Sequence, residues 1–206
     1  MPDNPYTPIP QQPLLVVISG LSGAGKDSVL KELRKRGQPM HFVVTATNRP
    51  ARSDEVNGRD YIFIRDEEFA RMIEEDELLE YALVYNQYKG VPKSQVRQAM
   101  ESGKDVIMRV DVQGAATIRR KCLDAVLIFL TTESEESLVK RLHARSTETD
   151  DSLHLRVAAA RQELDRINEF DYLVVNRDSQ LSQTVDIIEA IIQAEHHRTC
   201  PRKVTL

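Results

Sequence analysis

A chain of 206 residues, 41% of them hydrophobic and 29% charged, can bury one well-cored domain with small excursions or at most two small domains. Its formal net charge of -4 excludes a nucleic-acid binder that depends on a broad basic face, so any anion binding has to be local. Cys122 and Cys200 lie far apart and outside any C-x-x-C spacing, which gives neither a disulfide framework nor a zinc site, and no apolar run approaches the roughly 20 residues of a membrane span.

Residues 1–13, MPDNPYTPIPQQP, are proline-rich and lack basic or hydrophobic targeting character, so they read as a disordered leader on a cytoplasmic protein. LLVVIS (14–19) is a continuous apolar run suited to a strand buried on both faces. KDSVLKELRKR then sets Val29, Leu30 and Leu33 at helical spacing, which makes the unit strand, glycine loop, helix. Three later runs, DVIMRV (105–110), AVLIFL (125–130) and DYLVVN (171–176), repeat the buried-strand character with helical patterns between them. Strand and helix alternating in this way predict an α/β fold with a parallel sheet covered on both faces.

Two stretches interrupt the rhythm. Residues 45–91 turn polar and Gly/Pro-punctuated, with short strands expected at YIFI and LLEYALVY, a helix near DEEFARMIEE and a hairpin at NQYKG, so they predict an inserted lobe of mixed sheet. Residues 133–161 form an Arg-rich helical pair with a polar turn, read as a mobile lid or, alternatively, as a solvated helix pair. The expected division is leader 1–13, core 14–44, 92–132 and 162–196, inserted lobe 45–91, lid 133–161, and a frayed basic tail 197–206.

GLSGAGKD follows the strand and opens the helix, matching G-x-x-x-x-G-K-[ST] except at its last position, where Asp27 replaces a hydroxyl. Gly20, Gly23 and Gly25 permit backbone turns closed to other residues, so the N–H groups from Ser22 and Ala24 onward to Ser28 can face phosphate oxygens at a helix N-terminus. Lys26 supplies a mobile charge for the β and γ phosphates of a nucleoside triphosphate. The fold class that this loop defines is the P-loop nucleoside triphosphate hydrolase fold, three-layered around a parallel sheet. Asp27 can hold Mg2+ directly or through water, although without the ion it repels a triphosphate; the alternative is an acid that stabilises a helix N-terminus.

TATNRPARSDEVNGRDYIF is the second constellation. Pro50 biases Arg49 away from helix, so Arg49 and Arg52 stand on an extended loop, each able to fork onto a phosphate; Glu55 follows at a distance suited to orienting an arginine, and Tyr61 offers a phenolic donor. Taken alone, the arginines also suit a surface charge cluster. Transfer between two nucleotides gathers about six negative charges, and Lys26, Arg49, Arg52, Arg145, Arg156 and a magnesium ion make a matching set of cations. An acceptor that is already an oxyanion needs no general base, so His41, His143, His154, His196 and His197 need no catalytic role.

GLSGAGK, TNRPARSDEVNGRDYIF, LLEYALVYNQYKG, VDVQGA and RSTET through Arg156 together resemble guanylate kinase of the plant organellar and bacterial type, over residues 14–195. With no transit peptide in the leader, the expectation is a bacterial cytoplasmic enzyme. The resemblance implies a P-loop core, a monophosphate lobe, a lid, and the reaction ATP + GMP = ADP + GDP. It assigns Arg49, Arg52 and Tyr61 to the GMP phosphate, and Arg145 and Arg156 to the transferring group beside Lys26. Glu80 and Asp111 match guanine-side acids, Thr45 a position near O6, and Asn176 an adenine-side position, with Arg141 placed alongside it. Asp111 is also a candidate to hold the metal through water. Guanine presents N1–H and N2–H2 donors on one edge, which a carboxylate such as Glu80 can accept together, whereas adenine has an acceptor at N1.

The chain departs from the family pattern in several places. Tyr88, Lys89 and Val91 fall where the family commonly has Y-Y-G-[ST], so Lys89 takes the place of a phosphate-binding tyrosine and Val91 removes a hydroxyl near guanine O6. Arg109 stands where another acid is common before Asp111, and Ser146 replaces a lid glycine. Rival readings are a ribose 1,5-bisphosphate phosphokinase, whose relatives also carry GKDS, and a phosphopeptide-binding scaffold domain. The expected partners are ATP and GMP, with dGMP a further acceptor, no nucleic acid, no membrane, and a monomer or homodimer.

Overall fold

The computed structural model describes residues 11–53, 55–84, 87–143 and 150–206. Its main sheet grows from β1 (Leu15–Gly20), whose six residues are all buried. Val16 and Ile18 pack into one apolar cluster and Leu15 and Val17 into another, on opposite faces of the strand. An unbroken apolar run therefore reads as a strand covered on both sides, because its side chains alternate between two cores. β2 (Met40–Phe42), β7 (Asp105–Arg109), β8 (Val126–Thr131) and β9 (Tyr172–Val175) join β1 in a five-stranded parallel sheet, ordered β2-β7-β1-β8-β9. β2 has only three residues, too few for periodicity to reveal it.

Helices cover both faces. On one, α1 (Lys26–Lys35) presents Val29, Leu30 and Leu33 and α7 (Leu181–His196) presents Val185, Ile188 and Ile192 to the cluster holding Val16 and Ile18. On the other, α3 (Lys93–Glu101) and α4 (Val112–Lys121) bring Val96, Ala99, Ala115 and Ile118 against Leu15 and Val17. This three-layer arrangement is the P-loop nucleoside triphosphate hydrolase fold.

A second, four-stranded sheet comprises β3 (Ala46–Thr47), β4 (Ile62–Phe63), β5 (Leu78–Val84) and β6 (Gln87–Pro92), in the order β4-β3-β6-β5, with α2 (Asp66–Glu74) beside it. Its own small core is Ala46, Phe69 and Leu78, flanked by Ile62, Met72 and Tyr88. α5 (Glu135–His143) and α6 (Asp150–Leu164) form the helical pair, joined at its far end by Arg161 forking onto Glu135 at 2.7 and 3.0 Å. Ser146 lies outside the described residues.

The expectation of a frayed tail is corrected. Arg202 forks onto the buried carboxylate of Glu195 at 2.7 and 3.0 Å, and Val204 and Leu206 pack against the core beside Cys122. Sequence reading saw the basic residues and missed the alternating apolar ones, which dock because Glu195 needs a cation once buried.

Candidate active site

The phosphate loop is built where β1 runs out at the C-terminal edge of the sheet, the usual ligand crevice of such folds. Gly20 has φ +123°, and a Cβ there would lie 2.0 Å from the Leu130 carbonyl oxygen of the neighbouring strand, so only glycine lets the chain turn off β8. Lys26 folds back over the loop, its Nζ donating to the carbonyls of Gly20 at 2.7 Å and Leu21 at 2.9 Å. Asp27 and Ser28 follow in the first turn of α1, both exposed.

The far side of the loop is braced by residues distant in sequence. Asn176 is buried; its Nδ2 donates to the Ala24 carbonyl at 2.8 Å and its Oδ1 accepts from the Thr184 hydroxyl at 3.0 Å. Arg141 donates to the carbonyls of Ala24 and Asn176 and grips Asp178 Oδ1 at 2.7 and 3.0 Å. Gly23, Gly25, Ser28, Arg141 and Asn176 line a cavity of about 320 Å³ there. Glu163 of α6 reaches the opposite flank, its Oε2 accepting the Ser22 N–H at 3.0 Å, and burial pushes its carboxyl above the usual range.

Across the cleft, Arg49 is held by three neighbours. Its guanidinium forks onto Glu55, Nη1 to Oε2 at 2.7 Å and Nη2 to Oε1 at 2.5 Å, and its flat face lies 4.8 Å from the Tyr61 ring centroid and 5.4 Å from that of Phe63. Glu55 also accepts the Arg52 backbone N–H at 2.9 Å, which ties the two arginines into one loop and leaves the Arg52 residue exposed. The Arg49 fork, then the Arg52 amide, hold the Glu55 carboxyl down at about 2. Asn48 tethers this loop to the small sheet, donating to Asp66 Oδ1 at 2.7 Å and accepting the Tyr88 N–H at 2.6 Å.

Between the two sides stand the acids. Glu80, on β5, is buried, and a Cβ at Gly114 would lie 2.7 Å from its Oε2. Burial, reinforced by nearby Asp111 and opposed by Lys121, pushes its carboxyl up to about 8. Asp111 caps α4, Oδ1 accepting the Gly114 N–H at 2.7 Å. Lys89 on β6 is half-buried, and burial lowers its pKa, aided by Arg49 and Arg52. Asp27 pairs with Arg109 Nη1, and Arg109 Nη2 donates to the Tyr61 hydroxyl at 3.2 Å.

Tyr88 and Val91 lie on β6, and Thr45 directly precedes β3. Val91 is fully buried with Leu79 and Val96, directly opposite Glu80 across the β5–β6 pairing. Tyr88 stacks on Phe69 at 5.1 Å within the small core, with its carbonyl accepting the Thr47 hydroxyl at 2.8 Å. Thr45 is half-buried and its carbonyl accepts the Ile62 N–H at 2.9 Å. Arg156 lies half-buried on α6, and Arg145 lies outside the described residues. Glu163 and Asp178 escaped sequence reading, since 141 and 37 residues separate them from their partners. The contact of Arg109 with Asp27 had a signal: two departures of opposite charge from one family pattern.

A glycine loop cradled by a parallel sheet, facing an arginine loop on an inserted small sheet, defines a P-loop kinase. The guanylate kinase family profile matches residues 12–195, and the chain belongs to that family. It is 53% identical over 204 residues to guanylate kinase 2, chloroplastic/mitochondrial, of Oryza sativa subsp. japonica, covering 98% of this chain and 71% of the relative. It is 41% identical to the guanylate kinase of Caldanaerobacter subterraneus subsp. tengcongensis over 92% of this chain and 91% of the relative. The crystal structure of guanylate kinase from Anaplasma phagocytophilum superimposes with a TM-score of 0.74 at 27% identity, covering 92% of this chain and 89% of that one. These likenesses favour neither the sugar-phosphate kinase nor the scaffold reading. No helix among the described residues is long and apolar enough to cross a membrane.

Proposed function

We propose that the cleft transfers the γ-phosphoryl group of ATP to GMP in line, giving ADP and GDP. Lys26 and the N–H groups of residues 22–28 hold the donor phosphates, with the nucleoside in the cavity beside Arg141. Arg49, Arg52 and Tyr61 hold the acceptor phosphate, Lys89 adds charge behind it, and Glu80 accepts the guanine N1–H and N2–H2. Asn176 supports the adenine side by bracing Ala24. An oxygen of the GMP phosphate bonds to the γ phosphorus as the bond to the β–γ bridging oxygen breaks, and the electron pair leaves with ADP. No proton has to be removed from the attacking oxyanion. Residues 45–91 act as the GMP lobe and residues 133–161 as a lid that brings Arg145 and Arg156 onto the transferring group and excludes water.

Magnesium fits the donor set by chemistry: Asp27 is a more than half-exposed carboxylate beside the loop, and this ion takes hard oxygens, usually only one or two of them from protein. Asp27 would hold it, with Asp111 through water, and when bound it neutralises phosphate charge. We place the enzyme in the cytoplasm, acting as a monomer or homodimer, with dGMP as a second acceptor.

The observation that carries this reading is the Arg49–Glu55 fork laid over Tyr61, an arginine pre-oriented for an anion opposite a phosphate loop. Its test is ADP formation with ATP and magnesium, offering GMP, AMP, UMP and ribose 1,5-bisphosphate separately. Turnover with GMP alone is expected; preference for the sugar phosphate would overturn the assignment.

A further inference from the structure

Arg109 ends β7, the strand next to β1, in register with Ile18, so its side chain leaves the sheet at the same edge as the phosphate loop. From there the guanidinium reaches both sides of the cleft. Nη1 meets Asp27 in the first turn of α1, and Nη2 donates to the hydroxyl of Tyr61 beside the arginine loop at 3.2 Å. Only a quarter of the side chain is exposed. Burial lowers its pKa, yet arginine stays charged throughout the working pH range. A permanent positive charge therefore stands at the junction of donor and acceptor sides, on a rigid strand rather than on a moving helix.

We infer that Arg109 is a catalytic cation for the transferring phosphoryl group and that Asp27 is the residue that positions it. The inference rests on the reading of the cleft as an ATP-to-GMP transfer site. Three features support it. A guanidinium has five donors in a fixed plane, so two contacts still leave donors for phosphate oxygens. The Tyr61 hydroxyl accepts from Arg109, which leaves its own proton to donate and polarises it toward an anion. A cation already aligned before substrate arrives needs no reorganisation as charge builds on the equatorial oxygens.

The competing account is that Arg109 merely neutralises Asp27. Kinetics of the unaltered enzyme, Arg109→Met, Asp27→Ser and the double variant separate the two, with melting temperatures as a check on folding. The expected result is a kcat loss of at least about a hundredfold in Arg109→Met with the KM for ATP little changed. At saturating magnesium, which offsets the loss of a metal ligand, the loss expected in Asp27→Ser is smaller, and the double variant should be no slower than Arg109→Met alone, because the positioning role of Asp27 acts through Arg109. Recovery of turnover in the double variant would show a purely structural pair and overturn the inference. Losses that multiply would remove Asp27 from its positioning role, and an Arg109→Met enzyme within about threefold of the parent would remove Arg109 from the transfer. Absence of GMP-dependent turnover in the unaltered chain would overturn the kinase reading and this inference with it.

Discussion

Arg49 meets Glu55 edge to edge at 2.7 and 2.5 Å while its face lies over Tyr61, so the arginine is fixed in plane and in rotation before any ligand arrives. Pre-orientation of this kind lowers the ordering cost of binding more than it alters the reaction barrier. Glu55→Gln should therefore raise the KM for GMP about tenfold and leave kcat within a few-fold. Because the Glu55 carboxyl is held at about 2, below its ordinary 4.5, the fork is intact above pH 4.5 and is lost only as pH falls through 2. Steady-state kinetics between pH 5 and 8 should show no step from this group; an unchanged KM in the variant would make the fork a surface ornament.

Glu80 runs the other way. Its carboxyl is raised from 4.5 to about 8, so in the free protein it holds its proton across the neutral range and gives it up near pH 8. Folding stability from this group is full below pH 4.5 and declines as pH rises through 8. The guanine edge, with two donors, selects the charged carboxylate. GMP affinity should then rise roughly tenfold from about pH 6.5 to pH 8 with a proton released on binding, measured by calorimetry in buffers of different ionisation enthalpy. Glu80→Gln should flatten that profile, and a flat profile in the unaltered enzyme would take Glu80 off the base.

Lys26 donates to two loop carbonyls, and its ammonium lies over the loop where the β and γ phosphates would enter. Lys26→Ala should lower turnover at least about a hundredfold while circular dichroism stays unchanged. Turnover close to normal would leave the loop's N–H groups as the sole phosphate cradle.

Asn176 ties Ala24 to Thr184 from a buried position, and truncation would strand the amide's partners. Asn176→Ala should cost about 2 kcal/mol of stability in urea unfolding, the range for leaving buried polar groups unpaired. A loss confined to ATP affinity would instead make it a direct nucleotide ligand.

The chain's local patterns determined a good deal by themselves. Apolar runs 14–19, 105–110, 125–130 and 171–176 announced four of the five strands of the main sheet, because a strand buried on both faces needs apolar residues at every position. GLSGAGK announced the loop, because only glycine tolerates the φ of +123° at Gly20 and of +93° at Gly23 and Gly25. What tertiary structure alone decided was which polar group meets which. Glu163 on Ser22, Asn176 and Arg141 on Ala24, and Glu195 on Arg202 join segments by the ends of long side chains, and such pairings leave no periodic trace. Val91 stands between Gly90 and Pro92 in a motif that reads as substrate-facing, and packing encloses its side chain with Leu79 and Val96, directly across the small sheet from Glu80. Asp27 and Arg109 are 82 positions apart in a chain that, read linearly, shows two separate oddities. The parallel pairing of β1 with β7 makes them one ion pair, because neighbouring strands end at the same edge of the sheet.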